Sequence, residues 1–299
     1  MKKRELPFIS VCTATYNRRP FILNLIDIYM KQTYPKDKME WIIIDDGEDK
    51  VKDIFDKYQE ETNKSIKNLV YLSLDEKITI GKKRNLLNRL SNGEIIIYMD
   101  DDDFYFENRI LYSVKSLINS KYNIAGCSEL YCYNHKDKSI YKFGPYHNNH
   151  CTAATICFKR KILEECCFDE TKEYAEESSF LKNYSFPILQ LDSLKCIIVI
   201  NHNNNTCNRD YFIDNYDKLK NIQKVDKNLN EYIKNKNILN FYTNLNINTE
   251  KNITKNKLYY KNKDGTSRLI KYHEMVLLVG DMKKVINTLR EKIKNIENK

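Results

Sequence analysis

The stretch IIIYMDDDDFY, residues 95–105, places four consecutive aspartates directly after an apolar run. Like charges this close repel one another, and burying any of them is costly unless a partner offsets the charge. The carboxylates of Asp100 to Asp103 therefore either extend into water as a loop or are gathered by something cationic. Residues 94–99 read as a buried strand, so the four aspartates stand at the end of a strand.

The chain before this stretch alternates between strand and helix patterns. The strand patterns lie at 8–13, 41–44, 69–73 and 94–99. The helix patterns run from Pro20 to about Gln32, over 51–58, and from about Gly81 to a cap at Asn92-Gly93. This order is typical of a parallel sheet with helices on both faces, and such sheets bind ligands beyond the carboxyl ends of their strands.

The composition is that of a globular protein, with 41% hydrophobic and 12% aromatic residues in a chain of 299. No apolar run is long enough to cross a bilayer, which predicts that there is no transmembrane segment. The N-terminal sequence MKKRELPFISV turns polar too soon for a signal peptide. We therefore expect an intracellular, cytoplasmic protein.

The net charge of +9 comes from the last part of the chain, because residues 216–299 carry 19 Lys or Arg against 9 Asp or Glu. This surplus fits a solvated surface, and it also fits contact with nucleic acid, anionic lipid or an acidic partner. We predict a hairpin with an Asp264-Gly265 turn, followed by an amphipathic helix from about Met275. That helix fits either a coiled-coil homodimer or packing on its own domain.

Besides the aspartates, Asp46 and the segment 81–85 place polar residues where a ligand of such a sheet would lie. The aspartates suit Mg²⁺ or Mn²⁺, although a solvated acidic turn explains them equally well. Asp46, after the second strand, suits a base or ribose, or serves as the first residue of an Asp-Gly turn. The segment GKKRN at 81–85 opens a helix with Arg84, which suits a diphosphate or a solvated basic first turn.

Acidic and imidazole side chains appear again in the second half. Glu176 and Glu177 precede the apolar pair Phe180 and Leu181, so they fit either a general base or an acidic helix start. His202 follows the strong strand pattern at 193–201 and is either a metal ligand or a structural histidine.

The order of these segments resembles that of the family 2 glycosyltransferases of the GT-A fold. ISVCTATYN, IIIDDG, GKKRN and GEIIIYMDDDD come first, and the acidic pair and a strand followed by His come after them. The resemblance covers about residues 6–212. It implies an α/β fold, with a Rossmann-like mixed sheet flanked by helices and a small C-terminal extension of hairpin plus helix. The catalytic domain would be 1–212, and the basic Lys/Asn-rich region would be 213–299.

The resemblance also implies roles for individual residues. Nucleotide-binding roles fall to Ala14, Tyr16, Asp46, Arg84 and Asp101. Metal-binding roles, with Mn²⁺ or Mg²⁺ as the ion, fall to Asp102, Asp100 and His202, and the aspartates are similar to the family's DXD motif. Glu176 and Glu177 stand where the family has a Glu-Asp pair. Glu177 would be the catalytic base, although the choice between these two glutamates stays open.

The activity that the resemblance implies is metal-dependent, inverting sugar transfer by a hexosyltransferase or N-acetylhexosaminyltransferase. The donor would be a nucleoside diphosphate sugar, with UDP as the first choice, and the acceptor a hydroxyl of a glycan or protein. Two alternatives stand beside it. One is a non-catalytic protein that binds nucleotide sugars, and the other is a nucleic-acid-binding protein that uses the basic tail.

Overall fold

The computed structural model describes residues 5–205 and 209–245, and the backbone of two short strands at 259–261 and 267–269. In chain order the strands are β1 (Ile9–Thr15), β2 (Met39–Asp45), β3 (Leu69–Ser73), β4 (Ile95–Tyr98), β5 (Phe104–Tyr105), β6 (Ile124–Gly126), β7 (Leu130–Asn134), β8 (Ser139–Phe143), β9 (Cys157–Lys159), β10 (Ile188–Gln190), β11 (Ile197–Asn201), β12 (Ile222–Val225), β13 (Tyr259–Lys261) and β14 (Ser267–Leu269). The α-helices are α1 (Arg19–Lys31), α2 (Lys52–Thr62), α3 (Ile80–Leu90), α4 (Arg109–Ile118), α5 (Glu177–Phe180), α6 (Asp210–Asp214), α7 (Leu229–Tyr232) and α8 (Lys236–Thr243).

The larger sheet carries the part of the chain in which strands and helices alternate. Among the described residues it has seven strands in the order β10-β6-β9-β4-β1-β2-β3. Strands β4, β1, β2 and β3 run parallel, whereas β9 runs antiparallel to β4 and to β6. The prediction of a mixed sheet flanked by helices is therefore confirmed. The register aligns Thr15, Asp45 and Ser73 at one edge, where a ligand of such a sheet would bind.

Helices cover both faces of this sheet because successive strand residues point to opposite sides. Val11 packs in the apolar core that also holds residues of α1, α2 and α4, and Cys12 packs in the core on the other side with residues of α3. Within the first core Tyr29 stacks on Trp41, with ring centroids 4.0 Å apart. Because apolar cores pack against both faces of the sheet, the strand ends that carry the polar residues are held in fixed positions.

Helix α3 begins as predicted but ends two residues earlier than the Asn92-Gly93 cap that the sequence indicated. The N-cap Thr79 accepts a hydrogen bond from the backbone N–H of Lys82 at 3.3 Å, and the C-cap is Ser91. Gly93 does not cap the helix but allows a close backbone contact, since a Cβ there would lie 2.3 Å from the backbone N of Ser10. Only glycine allows the chain to pass this close to β1 before it enters β4.

The smaller sheet was not predicted from the sequence. Among the described residues its strand order is β12-β8-β7-β11-β5. Strand β5 directly follows the aspartates and pairs antiparallel with β11, and β11 runs parallel to β7. The backbone N–H of Ile200 in β11 also donates to Asp103 Oδ1 at 2.9 Å. This pairing brings the end of β11, and with it His202, next to the aspartates.

The region after residue 212 adds a strand to the smaller sheet and packs a helix against α1. Strand β12 pairs with β8, and Phe241 of α8 contacts Phe21 of α1 edge to face at 5.8 Å. Strands β13 and β14 pair antiparallel, as the predicted hairpin requires. The Asp264-Gly265 turn and the helix predicted from Met275 lie outside the described residues. The division of the chain into 1–212 and 213–299 stays a prediction.

Over 5–205 and 209–245, no helix combines the length and the apolar character that spanning a bilayer needs. In the same part of the chain the cysteines are free thiols, and all of them except Cys167 are buried.

Candidate active site

The four aspartates line a cleft at the carboxyl end of the larger sheet. Asp101, Asp102 and Asp103 are only 7%, 8% and 5% exposed, so they do not extend into water as a surface loop. The cleft has a volume of about 740 Å³. Its walls come from the end of β1, the start of α3, residues 173–177 and residues 203–205. A buried acidic turn requires partners of opposite charge.

Two arginines supply those partners, and an imidazole also contacts the aspartates. Arg18 places Nη2 3.2 Å from Asp102 Oδ2 and Nε 3.5 Å from Asp101 Oδ1. Arg84 Nη2 donates to Asp100 Oδ1 at 2.9 Å, and His202 Nε2 lies 3.2 Å from Asp102 Oδ2. Something cationic therefore gathers the aspartates, as one of the two sequence interpretations required. Arg18 was not predicted from the sequence to belong to this cluster.

The carboxyl groups differ in their charge state because their surroundings differ. Burial alone would raise the pKa of Asp102, but Arg18 and His202 outweigh it and hold that pKa below its usual range. Burial raises the pKa of Asp101, and the Arg18 guanidinium opposes this only in part. Burial also raises the pKa of Asp103, whose Oδ1 accepts the Ile200 N–H. Of these three carboxyls, Asp102 is therefore the one whose surroundings most favour the anionic form that binds a cation.

Asp46 is held by the protein on both of its oxygens. Oδ2 accepts the backbone N–H of Ile78 at 2.9 Å, and Oδ1 accepts from Lys83 Nζ. Lys83 Nζ also reaches the carbonyl of Thr15 at 3.3 Å, so it ties the ends of β1 and β2 to α3. Burial lowers the pKa of Lys83, whereas the Asp46 carboxylate raises it. Lys83 lies within the GKKRN segment, but the sequence alone drew attention only to Arg84.

We expect the Lys83→Met variant to lose about 3 kcal/mol of unfolding free energy, because it leaves the Asp46 charge buried without its partner. Lys83 is 5% exposed and Asp46 is 2% exposed, so water cannot replace the lost contact. Chemical denaturation measures the change. The double variant Lys83→Met/Asp46→Asn removes both charges and should recover most of the loss. Equal unfolding midpoints for the single variant and the wild type would contradict the prediction.

Ala14 near the end of β1 and Tyr16 just after it line the cleft, whereas the Asp46 side chain is fully buried and does not line it. The Nζ of Lys77 lies 4.8 Å from the centroid of the Tyr16 ring. Asn17, the next residue, has a positive φ of 53° and accepts the N–H groups of Glu48 and Asp49 through its side chain. The end of β1 is therefore fixed to the loop that follows β2.

Arg84 joins the aspartates to the acidic pair. Its guanidinium donates through Nε to Glu176 Oε1 at 3.1 Å and through Nη2 to Asp100 Oδ1, and it lies 4.5 Å from the Tyr98 ring. The side chain is only 3% exposed. Its Nη1 is buried and has no hydrogen-bond partner within the described part of the chain. Because Arg84 lines the cleft, this nitrogen is the atom with donor capacity left for a ligand.

The two adjacent glutamates differ in their partners. Glu176 is buried against Arg84, whereas Glu177 begins α5 and lines the cleft. Burial, reinforced by the Glu176 charge, raises the pKa of Glu177 to about 7. Ala175 has a φ of 52°, a left-handed conformation that turns the chain immediately before this pair. A carboxylate that titrates near neutral pH suits proton transfer, so the geometry favours Glu177 over Glu176 as a base.

The donor set fits a divalent ion only together with a ligand that supplies further oxygens. Among residues 5–205 and 209–245, no group of three or more His, Cys, Asp or Glu converges on one point. Asp102 Oδ2 and His202 Nε2 are 3.2 Å apart. His202 Nδ1 accepts the backbone N–H of Asn204 at 3.1 Å, so Nε2 carries the ring proton and would have to lose it before these two atoms held one ion. Asp100 is occupied by Arg84, and substrate phosphates would complete the coordination.

The sequence also matches a family model. Residues 10–166 match the model for glycosyl transferase family 2. The chain belongs to this family. The aligned residues include the aspartates, Asp46 and Arg84. Glu176, Glu177 and His202 lie beyond the aligned residues.

Curated relatives match over about a third of the chain. Over 96 residues it is 31% identical to the poly(ribitol-phosphate) β-N-acetylglucosaminyltransferase TarS of Staphylococcus aureus, strain MW2, which is 32% of this chain and 16% of TarS. Over 98 residues it is 33% identical to glycosyltransferase AglE of Haloferax volcanii, 32% of this chain and 31% of AglE. The chain therefore aligns with only a small part of each relative.

Solved structures extend the similarity of the fold. The S. aureus TarS fragment 1–349 in complex with UDP-GlcNAc superimposes with a TM-score of 0.52 at 18% identity, covering 66% of this chain and 60% of that one. The mannosyltransferase PcManGT of Pyrobaculum calidifontis, in complex with GDP-Man and Mn²⁺, also gives 0.52 at 18% identity, covering 66% and 57%. The GT-A fold implied by the sequence is confirmed.

Proposed function

We propose that this glycosyltransferase moves a sugar from a nucleoside diphosphate sugar, with UDP as the first choice, to an acceptor hydroxyl. The reaction is metal-dependent and inverts the anomeric centre. One observation carries the proposal: Asp102, Arg84 and Glu177 line one cleft at the ligand-binding end of the sheet, and His202 Nε2 lies 3.2 Å from Asp102 Oδ2 just behind it. An anion-binding part and a proton-accepting part are what the transfer of a sugar from a diphosphate requires.

The residues that would hold Mn²⁺ or Mg²⁺ are Asp102 and His202, with Asp100 as the further acidic ligand proposed from the sequence. The ion, when bound, neutralises negative charge on the diphosphate. The crystallised mannosyltransferase with GDP-Man and Mn²⁺ is a fold relative in which such an ion is present. The oxygen and imidazole donors of this chain suit the same class of ion.

The proton and the sugar follow separate courses through the cleft. Glu177 accepts the proton of the acceptor hydroxyl while that oxygen forms a bond to the anomeric carbon. The bond from this carbon to the diphosphate oxygen breaks, and the nucleoside diphosphate leaves with the electron pair. Arg84, through its unpartnered Nη1, donates to the leaving diphosphate. A single displacement of this kind inverts the configuration at the anomeric carbon.

Glu176 has a supporting part in this proposal. Its Oε1 accepts from Arg84 Nε, and the same guanidinium holds Asp100. Glu176 therefore fixes the position of Arg84, and its own charge is already offset. The Glu176 charge also contributes to the raised pKa of Glu177, which keeps the base close to neutral pH.

The nucleotide lies, in this proposal, along the ends of β1 and β2. Tyr16 and Ala14 line that wall, and Asp101 lies near the ribose. Asp46 stays the sequence-based choice for a contact to the uracil or its ribose, and its two oxygens are held by Ile78 and Lys83 behind this wall. The TarS fragment was crystallised with UDP-GlcNAc, which supports UDP, and the mannosyltransferase with GDP-Man makes guanine the competing base. The acceptor is a glycan or a protein. A homodimer through the C-terminal helix remains a proposal based on the sequence alone.

A thermal-shift panel tests the choice of donor. We expect one uridine nucleotide sugar with Mn²⁺ to raise the Tm by about 5 °C or more at 100 times its Kd, because ligand binding to the native state adds about 2.7 kcal/mol. UDP, GDP, ADP and their common sugars are compared, each with Mn²⁺ and with EDTA.

Selectivity is the informative result of the panel. GDP-sugars that stabilise more than UDP-sugars would overturn the choice of base, and equal shifts in Mn²⁺ and EDTA would overturn the metal dependence. Stabilisation by a sugar nucleotide with no transfer to any acceptor, and no hydrolysis, would favour the non-catalytic alternative. A salt-sensitive complex with generic DNA would favour the nucleic-acid alternative.

A further inference from the structure

Arg18 is the internal counter-ion of two aspartates in the cleft. Its Nη2 lies 3.2 Å from Asp102 Oδ2, and its Nε lies 3.5 Å from Asp101 Oδ1. Its Nη1 donates to the backbone carbonyl of Asn204. The side chain is 11% exposed, so these contacts are shielded from water. The guanidinium carbon also lies 5.8 Å from the ring of Phe21, which stacks on His202.

The oxygen that Arg18 holds is the same one that a divalent ion would use. Asp102 Oδ2 is 3.2 Å from His202 Nε2 and 3.3 Å from Asn205 Nδ2, so it already has three donors. A divalent ion next to this oxygen and a guanidinium 3.2 Å from it would repel each other strongly in a buried site. Both cations therefore do not occupy the oxygen at the same time unless further negative charge arrives.

The donor supplies that negative charge. Arg18 lines the same cleft as Arg84 and the aspartates, so a diphosphate in the cleft lies within the region that its side chain borders. A guanidinium presents a planar set of donors that matches phosphate oxygens in pairs. An arginine released from the aspartates has the diphosphate as its nearest new anionic partner.

We propose that Arg18 competes with the divalent ion for Asp102, and that its transfer to the donor's diphosphate makes ion and donor bind cooperatively. This inference rests on the proposed metal and sugar-nucleotide function. Arg18 holds the aspartates together while the cleft is empty, and the ion binds weakly. When ion and nucleotide enter together, the ion takes over Asp102 and Arg18 neutralises the phosphates. By linkage, the ion and the nucleotide strengthen each other's binding by the same factor.

The test measures Mn²⁺ binding by calorimetry, or by the electron paramagnetic resonance signal of free Mn²⁺, with and without UDP. We expect Arg18→Met to bind Mn²⁺ alone about tenfold more tightly than the wild type, and the gain in Mn²⁺ affinity caused by UDP to shrink about tenfold. Arg18→Gln is the second variant, and circular dichroism verifies that each protein is folded. Neither readout depends on turnover.

Arg19→Met is the matched control. It removes the same charge from the adjacent residue, but Arg19 pairs with Asp49 and Asp53, and the Asp53 carboxylate is 65% exposed. Its Mn²⁺ affinity, with and without UDP, should equal that of the wild type. Unchanged Mn²⁺ affinity in both Arg18 variants would overturn the role proposed for Arg18 but not the proposed metal site. Failure of the wild type to bind Mn²⁺ even with UDP would overturn the proposed metal site and this inference with it.

Discussion

Replacing Asp102 by Asn is expected to lower kcat/KM at saturating Mn²⁺ by about 10³-fold, because the amide removes the anionic oxygen that the ion needs. Asn has nearly the same shape, so the hydrogen bonds from His202 and Asn205 can persist and the fold should hold. A Mn²⁺ titration of turnover, combined with direct Mn²⁺ binding, measures the effect. The loss should appear as weakened Mn²⁺ binding as well as lower turnover.

Two matched variants interpret this result. Asp49→Asn removes a carboxylate that pairs with Arg19 outside the cleft, and it should leave turnover unchanged. Asp100→Asn removes the partner of Arg84 and the further acidic ligand, so we expect smaller losses of turnover and of Mn²⁺ affinity than at Asp102. Full Mn²⁺-dependent turnover in Asp102→Asn would show that the metal ligand has been assigned to the wrong aspartate.

The first half of the fold was predictable because its elements are local and periodic. The strand patterns at 41–44 and 69–73 correspond to β2 and β3, and the helix pattern from Pro20 corresponds to α1. The spacing of the apolar residues within each segment indicates whether it forms a strand or a helix. The continuous apolar runs also predicted strands buried on both faces, as β2 is along its whole length.

The smaller sheet was not predictable because its pairings join distant segments. Strand β5 has only two residues and pairs with β11 about ninety residues later. Neither its length nor its composition distinguishes it from the turn that follows the aspartates. The position of His202 next to Asp102 depends on this pairing, so the sequence pattern alone left two interpretations of that histidine open.

Arg18 and Arg19 show why charged side chains of the site escape a reading of the sequence. They are adjacent and identical in type, yet Arg18 pairs with Asp101 and Asp102 while Arg19 pairs with Asp49. Arg18 is the N-cap of α1 and Arg19 its first residue, so the two side chains leave the chain in different directions. Only the tertiary positions of the aspartates distinguish their roles.

The sequence alone also left open whether Glu176 or Glu177 is the base, and the structure distinguishes them because Arg84 pairs with Glu176. We expect Glu177→Gln to lower kcat by about 10³-fold, because the amide cannot accept the acceptor's proton, while donor affinity stays within about threefold of the wild type. The pH profile of the wild type gives a second readout. Since burial raises the pKa of Glu177 to about 7, kcat/KM should fall about tenfold per pH unit below that value.

Glu176→Gln is the matched variant. A measurement of the unfolding free energy shows whether a variant loses activity through unfolding. The pKa of Glu177 is raised from 4.5 to about 7, so its contribution to stability is complete below about pH 4.5 and is lost as the pH rises through about 7. Glu177→Gln should therefore be more stable than the wild type at pH 8, by about 3 kcal/mol, and equal to it at pH 4. Glu176→Gln frees Arg84 and should alter donor KM more than kcat. If the Glu177→Gln enzyme is stabilised but nearly inactive, Glu177 is the base. If that variant keeps nearly full activity and kcat collapses in Glu176→Gln instead, Glu176 is the base.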